Sequence, residues 1–189
     1  MKKRKVGNLM ALGVLSAVAY RDMHPYEMAG TLRSWGKDRD LGIKWGSLYT
    51  VVRNLARHGL IEEVGSVRDG RRPERTVYRI TDAGRAELVD WTRELVSTGE
   101  PFRAGLSMLS ALPPDDAVAL LQQRADAIGE RIEELRAQLE AETTPRLFLV
   151  EVEYDLAMLT AEAAWTRALI AEITAGTFAG LDEWREYHR

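Results

Sequence analysis

Cysteine is absent from the 189 residues of this chain, and that absence removes several chemistries together. A disulfide scaffold, a cysteine-ligated zinc finger, an iron–sulfur site and a thiol nucleophile all lack their atoms. Histidine is scarce as well. His24, His58 and His188 are dispersed, no Ser/His/Asp order with a nucleophile motif surrounds them, and the glycines form no phosphate-binding fingerprint. The pair Asp115-Asp116 follows Pro113-Pro114, where a helix N-terminus favours carboxylates without any catalytic role. Neither an enzyme, a metal site nor a cofactor is expected.

Long apolar runs are missing too. Met1-Lys2-Lys3-Arg4-Lys5 precedes a segment broken by Gly7, Asn8, Gly13 and Ser16, with no small-residue cleavage site before Arg21 and Asp22. That is a poor secretory signal, and nothing later approaches the roughly 18 uninterrupted apolar residues of a membrane span. The expected protein is soluble and cytoplasmic, with no membrane partner.

A surplus of positive charge is lacking overall, since the net charge is −3. Divided along the chain, the balance changes. Residues 1 to 81 hold 16 Lys/Arg against 8 Asp/Glu, a net of +8, and residues 82 to 189 hold 10 against 21, a net of −11. A polyanion is neutralised by local charge, so a basic half joined to an acidic half suits a DNA reader; a gradient without function is the plain alternative.

What the chain does contain is a change of period. Residues 7 to 20 are apolar enough for a largely buried helix. His24-Pro25-Tyr26-Glu27 opens a second, with proline and a carboxylate in its first turn, ending about Gly36. Residues 37 to 45 are polar, contain Gly42 and predict a loop. From Gly46, Leu48, Val51, Val52 and Leu55 fall on one helical face and Ser47, Thr50, Arg53, Asn54 and Arg57 on the other, with Gly59 as the stop. Alternation then takes over. Leu60 to Val67 and Thr76 to Ile80 read as two strands around a Gly/Pro loop carrying Arg68, Arg71, Arg72 and Arg75. Thr81 or Asp82 caps a further helix through Leu88, Trp91 and Leu95.

The rest reads as helix. Val118, Leu121, Ala125, Ile128, Ile132, Leu135 and Leu139 recur at three- and four-residue steps, as do Leu149, Val152, Leu156, Leu159, Ala163, Thr166, Ile170 and Ile173 after Thr144-Pro145. Such seams pack along another helix at a shallow angle, within one hairpin, across a dimer, or both.

The expected fold is therefore mainly α with a small β-hairpin: a winged helix-turn-helix domain over residues 1–96 and a C-terminal antiparallel helical dimerisation domain over 97–189. In such a domain the two-faced helix presents its polar side to the major groove, while a basic hairpin reaches an adjacent phosphate or the minor groove. The candidate DNA-binding residues on the helix are Ser47, Tyr49, Thr50, Arg53, Asn54 and Arg57, with the Tyr49 hydroxyl able to donate to a phosphate. A winged helix serving only as a protein-interaction module, without a DNA ligand, is the alternative.

The stretches GSLYTVVRNLARHGLIEE and DGRRPERTVYRITDAGR, with MHPYEMAGTL upstream, resemble the PadR family of bacterial transcriptional regulators over roughly residues 8 to 95. Two positions depart from that family's pattern: Val52 stands at its first leucine after the tyrosine, and Ala56 at a frequently acidic position. The resemblance implies a homodimer on a pseudo-palindromic operator in double-stranded DNA, usually as a repressor, with Tyr49 as a phosphate contact and Arg71, Arg72 and Arg75 as wing contacts. It also implies release by a small hydrophobic or aromatic effector. Leu88, Trp91 and Leu95 share one face of the helix after the wing and are the candidate ligand residues, a Trp91 ring facing its symmetry mate being suited to sandwich a planar molecule. Plain core packing is the other reading of that face.

Overall fold

A computed structural model describes residues 3–67 and 75–189. Its elements run α1 (Leu9–Tyr20), α2 (Pro25–Ser34), α3 (Lys37–Asp40), α4 (Leu48–Arg57), β1 (Ile61–Val67), β2 (Arg75–Ile80), α5 (Asp82–Ser97), α6 (Phe102–Ser107), α7 (Pro114–Ala141), α8 (Val150–Thr174) and α9 (Leu181–Tyr187). The mainly helical architecture with one antiparallel hairpin agrees with the sequence reading. Three short helices, α3, α6 and α9, were not foreseen, and α3 occupies part of the segment expected to be a loop.

Two compact units divide the chain: residues 1–95 with 99–111, and residues 96–98 with 112–189. In the first, α1 is apolar nearly all round, and Met10, Leu12, Val14, Leu15, Ala17 and Val18 are buried at its centre. Asn8 caps it, its side-chain oxygen accepting from the Met10 N–H at 2.8 Å. Helix α2 begins on a capping box in which imidazole takes the usual hydroxyl's place. His24 Nδ1 accepts the Glu27 N–H at 3.2 Å, and the Glu27 carboxylate accepts the His24 N–H at 3.0 Å. This unit runs on to residue 111 because Ala104 of α6 and Met108 just after it join the same core. The side chains of α3 and α6 also meet: Lys37 Nζ donates to the Ser107 carbonyl and to its hydroxyl, and Arg103 pairs with Asp40 at 2.8 Å. Burial of Lys37 pushes its amine below the usual lysine range, against the opposing pull of Asp40.

In the second unit α7 and α8 form a helical hairpin, and the two foreseen seams face each other. Ile128, Ile132 and Ala163 are buried together, with Leu156 and Leu159 packed on them. Arg124, almost fully buried, donates to Glu162 at 2.6 Å. Helix α9 is held by Trp184, whose indole N–H donates to the Leu112 carbonyl at 2.7 Å.

Helix α8 has a second apolar side, whose residues are exposed. Val150, Tyr154, Met158 and Trp165 are all exposed, as are Leu147 and Phe148 just before the helix. At 100° per residue, the four helical positions lie within an arc of about 80°, opposite the seam facing α7.

Candidate nucleic-acid interface

Helix α4 has the two faces that its sequence predicts. Leu48, Val51, Val52 and Leu55 are buried in the core of the first unit. Tyr49, Thr50, Arg53 and Arg57 are exposed, and Asn54 is half-buried. Tyr49 is 61% exposed, so its hydroxyl is available to a ligand. Arg53 and Arg57 have no carboxylate partner among the described residues. Ser47 differs from its neighbours. It sits in the tight turn Trp45–Ser47 that leads into α4, and its hydroxyl donates to the Lys44 carbonyl at 3.0 Å.

The C-terminal end of α4 is tied to the start of α5 by a short constellation. Gly59 takes φ +69°, the left-handed conformation that stops a helix without a Cβ penalty. The Thr81 hydroxyl donates to the Gly59 carbonyl at 2.7 Å and accepts the Gly84 N–H at 3.0 Å, while the Thr81 N–H donates to the Leu60 carbonyl. The first turn of α5 is thereby pressed onto Leu60. A Cβ at Gly84 would stand 2.0 Å from the Leu60 carbonyl oxygen, which gives the Thr-x-x-Gly spacing of the sequence a steric reason.

Strands β1 and β2 pair antiparallel from Ile61↔Ile80 to Val67↔Arg75, with a bulge between Glu63 and Gly65. Tyr78 lies beneath, its hydroxyl 3.4 Å from Glu63. Burial and that carboxylate both hold the phenol above its ordinary range. The loop arginines Arg68, Arg71 and Arg72 lie outside the described residues. Arg75 is described, and it is not a free cation at a hairpin tip. Its guanidinium lies 5.2 Å over the Tyr26 ring of α2.

Several contributors went unnoticed in the sequence. Arg33 stacks 4.2 Å over Trp45 beside the turn that enters α4, bringing a further cation to that end of the helix. The only local signal was an aromatic residue at the end of a polar segment. Tyr26 is likewise exposed, and its pairing with Arg75 spans the domain.

The candidate ligand residues have other surroundings. Leu88, Trp91 and Leu95 all belong to the core of the first unit, and Trp91 is 1% exposed. Arg4 covers its ring at 5.0 Å and donates to Glu87 at 2.8 Å, Asp90 at 3.0 Å and Glu94 at 2.5 Å. The Trp91 indole N–H is buried without a partner among the described residues. Among those residues there is no cluster of three or more metal-ligating side chains, and no helix is long and apolar enough to cross a membrane.

Residues 14–90 match the transcriptional regulator PadR-like family. A probable transcriptional regulator of Mycobacterium tuberculosis is 32% identical over 87 residues, which are 44% of this chain and 45% of that protein. The match thus spans less than half the length of that relative. Among solved structures, PadR of Bacillus subtilis in complex with operator DNA is 18% identical with a TM-score of 0.37, covering 87% of this chain and 98% of that one. The same protein in complex with p-coumaric acid gives 16% and 0.37, over 88% and 99%. A PadR-like transcriptional regulator of Bacillus cereus gives 15% and 0.39, over 88% and 98%.

Proposed function

We propose, from the match of residues 14–90 to the PadR-like family of transcriptional regulators, that the chain is a homodimeric repressor reading a pseudo-palindromic operator through α4. The observation that carries this reading is the two-faced α4: its apolar side is locked into a core, and Tyr49, Thr50, Arg53, Asn54 and Arg57 stand on the opposite side. Arginine and asparagine are the side chains whose paired donors and acceptors match guanine and adenine edges in the major groove. Tyr49, nearer the helix start and with its side chain exposed, is the proposed phosphate contact, whereas the Ser47 hydroxyl proton is already given to the Lys44 carbonyl. Arg71 and Arg72 are the proposed wing contacts.

The second copy is proposed to pack on the exposed apolar side of α8. Its Val150, Tyr154, Met158 and Trp165 form an apolar stripe of the kind that marks a protein interface on a small domain. The acidic balance of residues 82 to 189 fits a self-associating half that does not touch phosphate. Release by a small hydrophobic or aromatic effector completes the proposal, with Leu88, Trp91 and Leu95 as its contacts. A planar molecule stacking on Trp91 has to displace Arg4 from the ring, and ligand-dependent loss of operator binding is its readout.

Selection from random duplex DNA with the purified protein tests the reading. The expected product is an inverted repeat with half-sites about one helical turn apart, roughly 10 base pairs centre to centre. No enrichment would leave the domain as a protein-interaction module, and a single asymmetric half-site would contradict the symmetric dimer.

A further inference from the structure

The first described residue after the hairpin loop is Arg75, which opens β2. Three contacts in register fasten that strand to the turn entering α2. Asp22 accepts a forked pair of bonds from Arg79 at 2.6 to 3.1 Å. Met23 and Tyr78 exchange both backbone bonds at 3.1 Å each. His24 and Tyr26 then meet Arg75, whose guanidinium stands 5.2 Å over the Tyr26 ring with Nη1 3.5 Å from His24 Nε2.

The chemistry of the last contact is constrained by the cap. Because His24 Nδ1 accepts the Glu27 N–H, the neutral ring carries its proton on Nε2, which lies 3.6 Å from the Glu27 carboxylate. An Nε2–H accepts nothing from Arg75. The guanidinium is therefore held by its face on Tyr26 and bounded at its edge by His24. Planarity makes arginine suited to that slot in a way that lysine is not.

We propose that Arg75 is a positioning residue: stacked on Tyr26 and abutting His24, it locks the start of β2 to α2 and so sets the hairpin's angle to α4. Helix α2 packs on α4, so a strand fastened to α2 is fixed relative to the groove-facing side chains. This inference rests on the DNA-reading function proposed above and assigns Arg75 a different task from the loop arginines.

Affinity as a function of salt decides it, measured with the full chain on a duplex enriched by selection. Arg75→Ala and Tyr26→Ala are each expected to weaken binding about three- to tenfold. The slope of log K against log salt stays at the wild-type value, because no phosphate contact is lost. The double variant is no weaker than either single one. Tyr26→Phe keeps the ring and binds like wild type, while Arg75→Lys keeps the charge and does not recover affinity. A slope that falls by about 1 in Arg75→Ala, with recovery in Arg75→Lys, would make Arg75 a phosphate contact and overturn the proposal. So would additive losses. A second arm needs no DNA: amide exchange in Ile61–Val67 and Thr76–Ile80 is expected to speed up in Arg75→Ala and Tyr26→Ala with the melting temperature little changed. Unchanged exchange overturns the lock even where no duplex is enriched, whereas accelerated exchange with no enrichment would fault the DNA reading alone.

Discussion

Replacing Gly84 by alanine is expected to lower the stability of the first unit by about 3 kcal/mol or more, although alanine is the better helix former. Two opposing effects meet at this position, and their sizes decide the sign. Inside α5, alanine gains about 1 kcal/mol over glycine in helix propensity. Against that, the new Cβ stands 2.0 Å from the Leu60 carbonyl oxygen and 2.8 Å from Ile80 Cγ1. The first of these is backbone, anchored by the Thr81 N–H bond to the same carbonyl, and cannot swing aside as a side-chain end would. Overpacking of this kind costs typically 1–3 kcal/mol and more where backbone must shift. For a chain of this length, about 3 kcal/mol corresponds to a melting temperature lower by roughly 6–12 °C. Gly129 is the matched control. It sits inside α7, where a Cβ would meet only Arg167 Nη2 at 3.7 Å, so Gly129→Ala should stabilise by about 0.5–1 kcal/mol. Denaturant unfolding of both variants checks the pair; a neutral Gly84→Ala would contradict the close approach of Gly84 to the Leu60 carbonyl.

Substituting Tyr154 and Trp165 together by aspartate is expected to give a folded monomer with DNA affinity reduced about 100-fold or more. Both side chains are at least half exposed, so neither belongs to the buried core of the helical hairpin. On the proposed dimer face they would instead place charge in an apolar seam, which is a strong way to break an interface. The loss in DNA binding follows because two linked recognition helices bind with an avidity about 10²–10⁴ above one alone. Sedimentation should give about 21.3 kDa for the variant and about twice that for wild type, with unchanged helical circular dichroism. A variant that stays dimeric would move the interface away from this side of α8.

How much of the molecule was legible in the sequence depended on whether a pattern was local. The faces of α4 could be read because Leu48, Val51, Val52 and Leu55 recur at helical spacing while Arg53, Asn54 and Arg57 interrupt them. The seams of α7 and α8 were legible for the same reason. The second stripe of α8 was not, because a helix apolar on two opposite sides shows no single face, and Tyr154 and Trp165 are lost among its alanines. The positions 37–40 and 102–107 are too short for a period to declare itself. Contacts over long sequence separations left no trace. Arg4 reads as one of a basic run, yet it is nearly buried between Trp91 and the carboxylates of Glu87, Asp90 and Glu94. Arg75 reads as a wing cation by charge alone, and only the folded chain brings Tyr26 beneath it. Ser47 was placed on the groove-facing side by spacing, while its hydroxyl closes the turn that starts the helix.

The central claim is that the exposed side of α4 reads base edges. Its most direct test compares the affinity for the selected duplex with that for a scrambled duplex of equal length, at one salt concentration, for wild type and for Arg53→Ala/Asn54→Ala. Wild type should prefer the selected duplex by about 10³-fold or more. In the double variant that preference should shrink by about 100-fold, since each lost paired contact to a base is worth about 1–3 kcal/mol of discrimination. A double variant that keeps the full preference would contradict the account.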